Sequence, residues 1–270
     1  MKLLNLGCGA VFSKEKNWTN IDFYSSSQFV SSHNLLQGIP FPDSNFDVIY
    51  HSHVLEHFTK HEALIFLKEC FRVLKPNGII RVVVPDLEGI IHEYLTNLNL
   101  LKENPNDEII AQKYNWIMLE LLDQLTRNYN GGEMGRFLIK KDLKILDYII
   151  ERVGNEAVKY REWKLSQDSE KIKSNKTNDR SSFTFFKKRK KENAPSVYDE
   201  IGKFRLSGEV HQWMYDQFSL KQLIHEAGFN EISKNDAFSS QIPNWNSYNL
   251  DTIEGSIRKP DSLFMEALKN

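Results

Sequence analysis

The chain has 270 residues, 35 Lys/Arg against 36 Asp/Glu for a formal net charge of −1, with 40% hydrophobic and 12% aromatic residues. That supplies a core for one large domain or two small ones and excludes wholesale disorder. The balanced charge argues against a nucleic-acid partner, no apolar run approaches the roughly 18 residues of a membrane span, and Cys8 and Cys70, the only cysteines, exclude a disulfide framework.

The first elements read as alternating strands and helices. Lys2–Leu6 is a short buried strand stopped by Gly7-Cys8-Gly9, too short and too soon interrupted to be a signal peptide, so a cytoplasmic chain is expected. Trp18–Phe23 and Phe46–Tyr50 are the next strands. Thr59 and Glu62 have capping-box spacing before a helix whose apolar face is Leu64, Leu67, Phe71 and Leu74, stopped by Lys75-Pro76-Asn77-Gly78. Ile79–Val84 is a near-continuous apolar strand, as expected where both faces are covered. The pattern begins a doubly wound parallel sheet, whose ligands sit at the carboxyl ends of its strands.

After Pro85 the periodicity predicts helices over Leu87–Leu101, Asp107–Asn128 and Lys141–Leu165, with Leu121, Leu122 and Leu125 marking one apolar face. Residues 166–199 carry nine Lys/Arg against five Asp/Glu among many Ser and Asn, and read as a mobile basic loop. Ser219, with Gln222 in the reciprocal position, is the expected cap of a helix that Gly228 ends. Phe229–Ser233 and Ser262–Leu268 are the last strands, the final one read as antiparallel. The expectation is a core of residues 1–86 and 206–270 with a helical insertion, 87–205, after the fifth strand, placed to act as a lid.

The chemistry concentrates in three places. Gly7-Cys8-Gly9 lets a ligand lie against backbone, but about a dozen residues to the next strand leave little room for a helix facing phosphates, which favours a cofactor without them. Asp22 closes the second strand, where a carboxylate can accept both hydroxyls of a ribose. His51-Ser52-His53-Val54-Leu55-Glu56-His57 follows the third strand; if helical from Ser52, it puts His53 and His57 on one face, where imidazole can serve as a general base. Asp86 faces the same edge, and His211 and Asp216 come from the return of the insertion. Read differently, His53-x-x-Glu56-His57 is a zinc-hydrolase pattern, but it lies outside the long helix that motif occupies, and no metal is expected.

Taken together, Leu4–Gly9, Asn20-Ile21-Asp22, Ile39–Ile49, His53–His57 and Phe71–Gly78 resemble the class I S-adenosylmethionine-dependent methyltransferases over residues 3–86. Gly208–Asp216 and Lys259–Phe264 are similar to a bacterial subgroup associated with surface-polysaccharide biosynthesis. The resemblance implies a Rossmann-like fold and S-adenosyl-L-methionine as cofactor, S-adenosyl-L-homocysteine being its product. Gly7, Cys8 and Gly9 would lie against its methionine part, Asp22 would hold the ribose, the Asn34 amide oxygen and Leu35 backbone would meet adenine, and His51 and Ser52 would flank the sulfonium. Asn5 and Phe23 join the cofactor-binding set; His53, His57, Asp86 and His211 form the catalytic set. The implied acceptor is a hydroxyl on a sugar, nucleotide sugar, glycan or other small molecule. The remaining alternative is a non-catalytic relative that binds a partner through its insertion. Phe183-Thr184-Phe185-Phe186 and the basic run to Lys191 offer at most peripheral contact with an anionic membrane face.

Overall fold

The computed structural model describes residues 1–177 and 196–270, with only the backbone described over 168–177. The aromatic–basic segment 183–191 therefore lies outside the described residues. The chain divides into two compact units, Met1–Thr96 with His211–Asn270, and Asn97–Val210.

The first unit is a Rossmann-like α/β sheet. Its strands are β1 (Leu3–Leu6), β2 (Trp18–Asp22), β3 (Val30–Ser32), β4 (Phe46–Ser52), β5 (Leu74–Pro85), β6 (Asn230–Asn235) and, after a small ribbon of β7 (Thr252–Ile253) and β8 (Ser256–Ile257), β9 (Ser262–Leu268). The order β3-β2-β1-β4-β5-β9-β6 is parallel except for β9, which runs antiparallel to both β5 and β6. The winding reverses between β1 and β4, the place where open α/β sheets leave a crevice at the carboxyl ends of their strands.

Alternation along the strands sends successive side chains to opposite faces. Leu4, Leu6, Ile49, Ile80, Val82 and Val84 share one buried cluster with Phe66, Leu67 and Cys70 of α1 (Lys60–Val73), and with Leu220 and Ile224 of the helix at Gln217–Glu226. Thr59 caps α1 in the expected capping box; of the predicted stripe Leu67 and Leu74 are fully buried and Leu64 and Phe71 pack at the edge of the same core, while Ala63, Phe66, Cys70 and Val73 complete the buried face. On the other side Leu3, Val48, Tyr50 and Val83 pack beneath Ala237, Ile242, Trp245 and Leu250. The loop between β1 and β2 contains no helix, so an irregular C-terminal segment covers this face.

That segment is fixed by Arg81, fully buried on β5. Its guanidinium donates to Asp251 Oδ2 (2.8 Å), Glu266 Oε1 (2.6 Å) and the carbonyls of Ser239 (3.0 Å) and Asp236 (2.6 Å). Tyr50 Oη and Trp245 Nε1 donate to the same Asp251 carboxylate, and the Gln241 backbone N–H donates to Glu266 Oε2.

Helix α2 (Leu87–Glu103) leaves the end of β5. The second unit contains α3 (Glu108–Thr126), α4 (Gly132–Leu138), α5 (Leu146–Val153), α6 (Glu156–Thr177) and α7 (Val197–Arg205). The expected helix over Lys141–Leu165 is broken at Gly154, whose φ of +80° suits glycine and ends α5. Helix α6 continues through the part of the expected loop that precedes residue 178, and α7 begins at its far end after a Ser196–Asp199 capping box. The buried face of α3 is Trp116, Ile117, Glu120 and Asp123, not the predicted leucines; Leu122 is 45% exposed. Polarity misled the periodicity here: Glu120 is buried because it accepts from Trp116 Nε1 and Arg152, and Asp123 because it accepts from the first N–H groups of α4. No described helix is long and apolar enough to cross a membrane.

The eighth helix, α8 (Gln217–Glu226), starts one turn before the Ser219 cap expected from sequence. Asp216 is the cap, accepting from the Ser219 N–H at 2.7 Å, while Ser219 occupies the reciprocal position.

Candidate functional site

The glycine turn closes β1 with Gly7 at φ +63° and Gly9 at φ +53°. The two glycines serve different ends. A Cβ on Gly7 would lie 2.3 Å from Val54 Cγ2, so Gly7 lets the loop after β4 pack against the turn. A Cβ on Gly9 would meet nothing within 4 Å; Gly9 faces open space at the carboxyl edge, where a ligand can approach backbone. Gly7→Ala is expected to cost about 2–4 kcal/mol from left-handed strain plus overpacking, and Gly9→Ala about 1 kcal/mol from strain alone; urea unfolding of the two variants measures the difference.

Asp22 sits across this turn at the end of β2. Its Oδ2 accepts from the Gly9 N–H at 2.7 Å and its Oδ1 from the Tyr24 N–H at 3.3 Å. Each carboxylate oxygen keeps a further acceptor position toward the edge. Phe23 follows, exposed. Asn5 is buried and spends its amide on Val11 O (3.1 Å) and Asn20 Oδ1 (3.3 Å). Its side chain sets the path of the loop that follows the glycine turn. The Cys8 thiol is also buried; burial first, then the Asp22 charge, push it up to about 12, so it is inert. Asn34 caps a short 3-10 turn, Leu35–Gln37, with its Oδ1 accepting from Leu36 N at 3.0 Å. That bond uses one of the two acceptor positions of the amide oxygen, which keeps the other beside its NH2 donors. Leu35 packs on the core beside it.

Beyond β4 the backbone turns sharply. His53 has φ +56°, and its N–H donates to Val83 O at 2.9 Å. A left-handed non-glycine residue is strained and needs surrounding structure to hold it. The expected helix from Ser52 is therefore replaced by the end of β4, this turn and a 3-10 turn at Leu55–His57. His53 and His57 do not share a helix face; the turn gathers them around Glu56.

His53 Nδ1 lies 3.1 Å from Glu56 Oε1, and His53 Nε2 shares a 2.9 Å hydrogen bond with Ser262 Oγ at the start of β9. Backbone N–H groups of Gln212 and Trp213 donate to Glu56 O at 2.7 and 3.2 Å. They bring His211 Nε2 to 4.0 Å from Glu56 Oε1, and the His57 and His211 rings meet edge to face at 4.7 Å. Burial pushes the Glu56 carboxyl up to about 8. Burial, then the charges of Lys259 and Arg258, hold the His53 imidazole well below its ordinary value, so it is neutral at neutral pH. His51 is fully buried against Phe66 with neither ring nitrogen bonded, and burial lowers it to about 3. Ser52 Oγ accepts from Arg258 at 3.0 Å.

Asp86 does not join this cluster: its Oδ1 accepts from the Glu88 N–H at 3.2 Å, in the first turn of α2. Asp216 likewise serves a helix start, as the cap of α8. Sequence reasoning missed Ser262, which positions His53, and the basic pair Arg258 and Lys259. The Lys259–Phe264 stretch was the available signal, but nothing in its order shows that β9 inserts beside β5 and delivers Ser262 to β4's end.

With this geometry in view, residues 4–82 match the family model of a methyltransferase domain. A probable S-adenosylmethionine-dependent methyltransferase of Mycolicibacterium smegmatis is 39% identical over 54 residues, 20% of this chain and 20% of that protein. The chain thus matches about a fifth of that relative's length. Among solved structures, a SAM-dependent methyltransferase from Archaeoglobus fulgidus aligns over 99% of this chain and 86% of that one at 12% identity and TM-score 0.39. A possible histamine N-methyltransferase from Thermotoga maritima aligns over 100% and 82% at 12% identity and TM-score 0.38.

Proposed function

We infer that this chain is an S-adenosylmethionine-dependent methyltransferase, and that its acceptor is a hydroxyl on a sugar or another small component of a bacterial surface glycan. The observation that carries the first part is the pairing of Asp22 with Gly9 across an open edge, inside the segment that matches a methyltransferase domain. The acceptor class is supported by the similarity of Gly208–Asp216 and Lys259–Phe264 to a polysaccharide-associated subgroup.

The residues present fit the cofactor. Gly9 leaves backbone bare for the methionine part, Asp22 keeps acceptor positions for ribose hydroxyls, and Phe23, Asn34 and Leu35 follow in order along the same edge. Bound there, S-adenosylmethionine supplies a methyl group already activated as a sulfonium. The protein's task is then to align the acceptor oxygen with the S–methyl bond and let its proton leave. The histidine cluster stands at the end of β4, next in the sheet to β1 and its glycine turn. His53 is neutral and oriented by its hydrogen bond to Ser262, and His57 is the other partly exposed member.

His57→Ala is expected to lower turnover by about 100-fold or more, the usual contribution of acid–base groups, while leaving S-adenosylhomocysteine affinity within twofold. Calorimetry with S-adenosylhomocysteine and a methyl-transfer assay over glycans and nucleotide sugars test both halves. Unchanged turnover would remove His57 from the reaction; no binding by folded wild-type protein would overturn the methyltransferase reading.

A further inference from the structure

The sequence led to no metal in this chain, because His53-x-x-Glu56-His57 lacks the long helix of a zinc-peptidase motif. The folded chain makes a different set. One ligand atom each from Glu56, His57 and His211 lie within 4.8 Å of one another. We propose that Glu56, His57 and His211 bind one divalent transition-metal ion of the zinc class, beside the acceptor position.

The strongest observation is Glu56. Its side chain is 0% exposed, and no donor is aligned on either carboxylate oxygen. A buried carboxyl without aligned donors is costly to ionise, and a coordinated cation removes that cost. Two imidazoles and one carboxylate are a common donor set for such ions. Magnesium and calcium prefer oxygen ligands, so the two nitrogens select against them. Bonds of about 2.0–2.2 Å close a tetrahedral site at ligand separations of about 3.3–3.6 Å, so the trio needs to draw in by about an ångström from its present spread.

The fold prepares this arrangement. His211 is held beside Glu56 by the Gln212 and Trp213 N–H bonds to Glu56 O. His53, fixed at its far nitrogen by Ser262, abuts Glu56 Oε1 at 3.1 Å, as outer-shell partners do around ligating carboxylates. Three protein ligands leave a coordination position for water or a hydroxyl. The catalytic meaning of the ion rests on the methyl-transfer reading: it would hold and polarise the acceptor hydroxyl, making His57 act through the ion rather than as a lone base. Ion binding itself does not depend on that reading.

The test uses the full chain, stripped with a chelator and titrated with Co2+, then Zn2+. The expected result is one Co2+ per chain with a visible ligand-field band, displaced by Zn2+, and weakened about tenfold or more in both Glu56→Gln and His211→Gln. A chain that binds S-adenosylhomocysteine but no stoichiometric Co2+ overturns the metal site alone. Binding of Co2+ without S-adenosylhomocysteine overturns the methyltransferase reading and leaves the site standing. Each variant's fold is checked by circular dichroism. If Glu56→Gln fails to fold, His211→Gln and His57→Gln decide, because Co2+ affinity unchanged in either places the ion elsewhere and overturns the assignment.

Discussion

Asp22→Ala should weaken S-adenosylhomocysteine binding by at least about 100-fold in calorimetry while the protein stays folded. The carboxylate is assigned two ribose hydroxyls, and hydrogen bonds to a charged acceptor contribute about 1.5–3 kcal/mol each; each 1.4 kcal/mol is about tenfold in affinity. The structural cost is small by comparison. Gly9 N–H loses its acceptor, but Gly9 is exposed and water can replace it. Asp22→Asn keeps one acceptor oxygen and should fall between, at about a tenfold loss. Gly9→Ala provides a second variant at the same edge: its methyl group enters the space assigned to the ligand and should weaken binding at a stability cost of only about 1 kcal/mol. Wild-type affinity in Asp22→Ala would remove this residue from the binding site.

Arg81→Met should have the largest effect on stability, about 3–5 kcal/mol in denaturant unfolding, because it strands buried charge. Asp251 and Glu266 would both lose the guanidinium that neutralises them. Carbonyls of Asp236 and Ser239 would lose donors as well. The damage should concentrate in residues 236–258, which cover one face of the sheet and are tied to it through this network. The triple variant Arg81→Met, Asp251→Asn, Glu266→Gln removes both stranded charges while leaving amide oxygens for Tyr50 and Gln241 N–H, and should recover more than half of the loss. A single variant as stable as wild type would show that hydrophobic packing of Trp245 and Leu250 alone holds the segment.

The sequence by itself determined the first half of the sheet. Glycine punctuation, β-branched runs and the Thr59–Glu62 box are local signals, set by backbone sterics and hydrogen bonds within a few residues, and they placed β1, β2, β4 and α1 to within two positions and the second half of β5; the start of β5 at Leu74, through the expected Lys75–Gly78 turn, and the short edge strand β3 had no such signal. The same local logic put Gly7, Gly9 and Asp22 at the carboxyl edge. Tertiary structure decided what local pattern does not encode. Whether Glu120 and Asp123 face inward depends on partners from other helices; whether Asp86 serves chemistry or a cap depends on where its backbone turns. The histidine cluster is the clearest case. No short-range rule places His53 in a left-handed turn or brings His211 and Ser262, more than 150 positions later in the sequence, against Glu56 and His53. Insertion of β9 beside β5 and the bonds to Glu56 O do so, because pairing energy between distant strands and loops outweighs the local preference that read the segment as a helix.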